Sequence, residues 1–190
     1  MQTPSKSTAN NGGQLIRPTG DRAREALFNI IGREIEHASV LDLYAGTGAL
    51  GLEALSRSAE RAVFIDNSEN AVQIIRKNIA LCGFSDRSIV FRRSLTKGLS
   101  FLTRHLPGIS FSVVFADPPY RKGLSTQILT ELAKTHLLQP EALVVIEESA
   151  VAELAPEMAG LTLADKRRYG DTRFWFYRRQ SPNRNHEGKE

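Results

Sequence analysis

Asp117-Pro118-Pro119-Tyr120 stands directly after the apolar run Phe111 to Ala116. Such a run reads as a buried strand, and two prolines behind it end sheet pairing and stiffen the turn. A rigid turn of this kind can present acceptors to an amine. The exocyclic amine of a nucleobase is a poor nucleophile, because its lone pair is delocalised into the ring. The Asp117 carboxylate and the Pro118 carbonyl would take its two N–H groups and steer the lone pair at a methyl donor, while Tyr120 stacks on the base. The chemistry expected is an in-line methyl transfer that needs no metal. A Pro-Pro turn alone is common, so its context decides.

That context is a glycine-rich loop earlier in the chain. Residues 40–51 read Val-Leu-Asp-Leu-Tyr-Ala-Gly-Thr-Gly-Ala-Leu-Gly, so Gly46, Gly48 and Gly51 fit a GxGxxG pattern between a strand and a helix. Glycines there let the backbone turn tightly and approach a ligand at a helix N-terminus. A side chain added at Gly48 is therefore expected to block the cofactor and spare the fold. Asp66 follows Gly46 by 20 residues, at the end of the next strand, where a carboxylate can accept both hydroxyls of a ribose. Any adenosine cofactor satisfies this much. Asp42, beneath the loop, favours a ligand with an ammonium group, such as S-adenosylmethionine, held directly or through water. An Asp that merely bonds loop amides explains the same residue equally well.

The elements that must position these groups alternate between strand and helix. A lead helix over 21–31 is followed by strands at 40–44, 62–65, 89–91, 111–116 and 143–147, with helices over 50–56, 68–82 and 125–137 between them. The run from Leu161 to Tyr169 and that from Arg173 to Tyr177 flank the turn Gly170-Asp171, which predicts an antiparallel hairpin. The fold expected is α/β, a doubly wound, mostly parallel seven-stranded sheet closed by that hairpin. Its topological switch lies where the glycine loop and Asp117 meet.

At 190 residues and 41% hydrophobic, the chain is the size of one domain with a core of its own, here 15–179, between polar ends (1–14 and 180–190) expected to be disordered. Cys82 is alone, which excludes an intrachain disulfide, and its apolar neighbours predict ordinary packing. His37, His105, His136 and His186 have no metal-ligand spacing. Apolar runs are far shorter than the ~20 residues of a membrane helix, so a soluble cytoplasmic monomer is expected. The net charge of +4 suits a polyanionic partner, and the bases fall in clusters: Arg17, Arg22 and Arg24; Arg92 and Arg93; Arg121 and Lys122; Lys166 to Arg168. Arg121 and Lys122, next to the catalytic turn, are placed to meet phosphates beside an extruded base.

On these residues the chain resembles the RsmD family of 16S ribosomal RNA guanine-N2 methyltransferases. The resemblance spans about residues 16–178. It rests on Arg17-Pro18-Thr19 leading to Arg24-Glu25-Ala26-Leu27-Phe28-Asn29, on Leu41 to Gly46 continued through Gly51 to Arg57, on Asp117 to Tyr120, and on Tyr169-Gly170-Asp171-Thr172. It implies S-adenosylmethionine as cofactor and small-subunit ribosomal RNA as partner. Cofactor contacts are implied at Asp42, Tyr44, Ala45, Gly46 and Gly48, and further at Leu50, Gly51, Asp66, Asn67 and Ser94. Arg17 and Thr19 would stand near the methionine end and the entry of the base. Three departures mark this chain: Ser94 replaces an acid or amide, Asp66 replaces a glutamate, and little precedes the Arg-Pro-Thr element where relatives carry a basic hairpin. Rival readings are an amine methyltransferase acting on DNA adenine N6 or a release factor, a non-catalytic ribosome-assembly factor, and a dehydrogenase.

Overall fold

The computed structural model describes residues 18–120 and 123–180. In chain order the elements are α1 (Pro18–Ile31), β1 (Ser39–Leu43), α2 (Ala49–Ser56), β2 (Arg61–Asp66), α3 (Glu69–Cys82) and β3 (Ser88–Arg92). Then follow α4 (Ser100–His105), β4 (Phe111–Ala116), α5 (Leu124–Lys134), β5 (Leu138–Ser149), β6 (Glu157–Met158), β7 (Leu161–Tyr169) and β8 (Thr172–Arg179). All strands join one sheet in the order β3-β2-β1-β4-β5-β8-β7-β6. The first five are parallel, and β8, β7 and β6 are added antiparallel.

The sheet has eight strands rather than the expected seven. The extra one, β6, is two residues long and pairs with the start of β7, too short to carry a hydrophobic pattern. The hairpin does not itself form the edge: β8 lies inside, between β5 and β7.

Alternation along β1 sends Leu41 and Leu43 to one face, packed with α4 and α5 through Leu102, Ile128 and Leu132. Val40 goes to the other, with Leu27 of α1, Leu55 of α2 and Ile75 of α3. Asp42 shares that second face and is 2% exposed, the one acid of β1 among apolar neighbours. Helix α3 shows why these segments are helical. Val72, Ile75 and Ile79 make its buried stripe, the Ser68 hydroxyl accepts the Ala71 N–H at 3.3 Å, and Gly83 ends it at φ +73°. Cys82, expected to pack, is exposed, because the stripe ends at Ile79 and the last turn of α3 faces outward.

Among the described residues no helix is long and apolar enough to cross a membrane, and no group of His, Cys, Asp or Glu is arranged for a metal ion. Of the expected RNA contacts, Arg17, Arg121 and Lys122 lie outside the described residues. Thr19 falls in the first turn of α1, its side chain outside the described part.

Candidate functional site

Where the strand order reverses, β1 lies between β2 and β4, and the chain turns away from both at their carboxyl ends. Ligands of doubly wound sheets bind in the crevice this opens. Two cavities meet there. One, of about 620 Å³, is lined by Asp42, the loop from Tyr44 to Thr47, Leu50, Asp117, Tyr120 and Glu147. The other, of about 360 Å³, is lined by Asp66, Asn67, Ser94, Leu95, Pro119 and Leu124. Tyr44 and Asp117 line both, so the two form one continuous trough.

The glycines divide by what they face. Gly46, at φ +56°, lines the larger cavity, and a Cβ on it would meet nothing nearer than the Tyr44 carbonyl at 3.9 Å, so the open space beside it is a cradle for a ligand. Gly48 does not face the cavity, contrary to expectation. At φ +79° it precedes α2, and its Cβ would point inward, 3.3 Å from Ile75 and 3.4 Å from Phe64. Gly51 is a packing residue too, since a Cβ there would overlap the Phe64 ring and lie 3.1 Å from Asp42 Oδ2. A side chain at Gly48 therefore strains the loop instead of occluding a ligand.

Asp42 stands where either reading of it would place it. The Gly51 N–H donates to its Oδ2 at 2.9 Å, and the residue also lines the larger cavity. Burial pushes its carboxyl up to about 8, with the charges of Asp117 and Asp66 adding and the Gly51 bond opposing. A cation entering the cavity would relieve that burial cost, which fits an ammonium ligand.

Asp66 closes the loop from the other side. Its Oδ2 accepts the Gly46 N–H at 2.9 Å and its Oδ1 the Ser68 N–H at 2.8 Å, so it shapes the loop and keeps lone pairs for ribose hydroxyls. Ser94 lies at the mouth of the smaller cavity with its hydroxyl on Thr96 at 2.8 Å. Leu95 and Leu124 supply apolar walls there, suited to an adenine ring.

Asp117 and Glu147 follow Ala116 and Ile146, which are paired in register, so they emerge side by side from β4 and β5. Both carboxyls are raised above the usual carboxylate range. Burial is the larger cause for each; Glu148 adds to it at Asp117, and Asp117 adds to it at Glu147. Asp117 is exposed and lines both cavities, so it faces the trough where a substrate would reach it. The Tyr120 and Thr172 hydroxyls hydrogen-bond to each other at 3.3 Å, tying the tetrapeptide to the start of β8, and both lie near enough to Glu147 to oppose the rise of its carboxyl. Behind them Glu148 is buried, its Oε2 accepting from the Ser125 hydroxyl at 2.8 Å and its Oε1 from the Ser149 N–H at 2.9 Å. The result is a rigid wall of acceptors.

The structure thus gathers Asp42, Tyr44, Ala45, Gly46, Leu50, Asp66, Asn67, Ser94, Asp117, Pro119 and Tyr120 along one trough. Gly48 and Gly51 support it from beneath, and Pro118, buried, anchors the turn. Sequence reasoning missed Glu147, although the signal was present: an acid directly after Ala142 to Ile146 repeats the pattern of Asp117 after its own apolar run. It also missed Asp21 and Thr172, which line the larger cavity.

Comparison with known proteins agrees with this geometry. A family model described as "Conserved hypothetical protein 95" matches residues 5–178. Ribosomal RNA small subunit methyltransferase D of Escherichia coli is 35% identical over 166 residues, covering 87% of this chain and 81% of the relative. Among solved structures, a conserved hypothetical protein of Streptococcus pyogenes aligns with a TM-score of 0.74 at 30% identity over 86% of this chain and 99% of its own. An RNA methyltransferase of Salinibacter ruber, solved with S-adenosyl-L-homocysteine, shares the fold at a TM-score of 0.65 and 15% identity, over 91% of this chain and 100% of its own.

Proposed function

Because the chain belongs to the RsmD family of ribosomal RNA methyltransferases, we propose that it methylates the exocyclic N2 amine of a guanine in small-subunit ribosomal RNA, with S-adenosylmethionine as donor. The observation that carries this reading is the meeting of two features in one trough: a cradle for an ammonium-bearing nucleoside, and the Asp117 turn at its centre.

Asp42 and the Gly46 backbone would hold the methionine end, Asp66 the ribose, and Leu95 and Leu124 the adenine. When bound, S-adenosylmethionine supplies a sulfonium methyl, which the amine's lone pair takes as the carbon–sulfur electrons return to sulfur. Asp117 and the Pro118 carbonyl accept the two N–H groups of the amine and aim its lone pair. A carboxylate already pushed up by its surroundings is basic enough to take the proton the methylated amine sheds. Tyr120, 41% exposed, offers its ring face to the base.

Glu147 supports guanine as the base. Guanine presents N1–H beside its amine, whereas adenine presents an acceptor at N1. With Asp117 on the amine, the neighbouring Glu147 carboxylate is the acceptor for N1–H. The positive charge of the cofactor and these donors together favour its ionised form.

Label transfer from S-adenosylmethionine into small ribosomal subunits, followed by nucleoside digestion, tests the reading. N2-methylguanosine is expected. Label in another nucleoside, or in protein, overturns it.

A further inference from the structure

A third cavity, of about 440 Å³, adjoins the trough at its cofactor end and has the opposite charge. Arg92, Arg93, Lys97, Arg104 and His105 line it, and no carboxylate does. We infer that this basic cavity, between the end of β3 and α4, is the docking surface for the phosphodiester backbone of the RNA substrate. The inference rests on the RNA reading above.

Part of the cluster has a structural explanation. Arg92 pairs with Glu69 at 2.9 Å, the Arg93 guanidinium lies over the Phe101 ring at 5.9 Å, and His105 donates a ring N–H to the Phe101 carbonyl at 2.8 Å. Arg104 and His105 also suit the last turn of α4. Lys97 and Arg104 are different: among the described residues neither has a carboxylate partner within ion-pair distance. Glu131 lies against Gly98 close by, yet lines no part of the cavity. Gathering cations without acids costs folding energy through self-repulsion, and a polyanion removes that cost.

The location selects RNA among polyanions. Asn67, Arg93 and Ser94 line both this cavity and the smaller part of the trough, whose far wall is Asp117. A strand whose target base reaches Asp117 therefore has neighbouring phosphates within the field of these cations. The base-reading cavity next to Asp117 is acidic and repels phosphate, so the backbone must be gripped outside it. Phe91, Phe101 and His105 pack edge to face at 5.5 to 6.2 Å and hold the floor of the basic cavity rigid.

The experiment uses the full chain with both Lys97 and Arg104 replaced by Gln, since these two line the basic cavity and not the trough. Both are exposed, so thermal unfolding and S-adenosylhomocysteine affinity should match the wild type. Binding to a small-subunit ribosomal RNA transcript is measured by fluorescence anisotropy from 50 to 300 mM salt. Loss of two phosphate contacts should flatten the slope of log affinity against log salt by roughly 1.4 to 1.8. The double replacement by Glu should weaken binding further. A wild type that binds and methylates RNA while both variants keep its salt slope refutes the surface and leaves the activity standing. A wild type that neither binds nor methylates RNA refutes both.

Discussion

Asp42→Asn separates what the fold wants from what the ligand wants. The carboxyl is 2% exposed and is pushed from 3.8 to about 8, chiefly by burial. A folded-state value above the unfolded one means that the folded chain holds the proton more tightly. Its contribution to stability is then fully present below about pH 4 and is lost as pH rises toward about 8. Four pH units at ~1.4 kcal/mol each cap that loss near ~6 kcal/mol, and relaxation around a buried charge reduces it to ~1–3 kcal/mol. Asparagine has nearly the same shape, still accepts the Gly51 N–H, and has no charge to bury. At pH 8.5 the variant should therefore unfold roughly 3–10 °C above the wild type, and at pH 5 by only about a third as much, given ~2–4 °C per kcal/mol for a chain of this size. The same change should weaken S-adenosylhomocysteine binding ~10–100-fold, since a charge-assisted bond to the ammonium is lost. Scanning calorimetry from pH 5 to 9, with titration calorimetry in parallel, reads both effects. A difference in melting temperature that does not grow with pH, or an affinity that does not fall, would refute the reasoning.

Three other substitutions follow from the site. Gly48→Val places a β-branched residue at φ +79° against Ile75 and Phe64, so it should cost ~2–4 kcal/mol and lower the melting temperature by roughly 5–15 °C; an unchanged melting temperature would show that the loop relaxes freely. Asp117→Ala should lower single-turnover methyl transfer ~10²–10³-fold while S-adenosylhomocysteine affinity stays within severalfold, and near-normal turnover would remove Asp117 from the mechanism. Glu147→Gln keeps an acceptor but adds a donor, so its preference for guanine over 2-aminopurine at the target position should narrow by roughly tenfold or more; an unchanged ratio would mean that another group reads N1.

The order of strands and helices was legible because buried parallel strands need largely apolar runs, and Val40 to Leu43, broken only by Asp42, and Phe111 to Ala116, broken only by Ser112, supply them on either side of the switch. Asp66 and Asp117 were legible for the same reason, as acids at the carboxyl ends of such runs. A GxGxxG pattern records that three positions disfavour a side chain; at Gly51 the neighbour that forbids it is the Phe64 ring of the adjacent strand, whereas at Gly48 it is the φ of +79° with Ile75 closest behind it. Only Gly46 opens to the cavity. Nothing local distinguishes these cases, because the neighbour is supplied by tertiary packing. Short helices such as α4, and the two-residue β6, were missed because they carry too few residues to show a period.

The two signs of charge along the trough follow from one requirement of the proposed reaction. Asp42, Asp117 and Glu147 line the larger cavity, and each is held above its ordinary pKa, so the folded chain without ligand carries an unrelieved electrostatic cost there. A donor with an ammonium and a sulfonium relieves it. After transfer the sulfur is neutral, and the positive charge has moved to the methylated amine and left with its proton. The acidic wall is therefore more complementary to the reactants than to the products, which favours release of the spent cofactor. The same wall would repel the backbone that delivers the base. A chain that reads an amine with carboxylates must hold phosphates elsewhere, and the cations of β3 and α4 stand one cavity away.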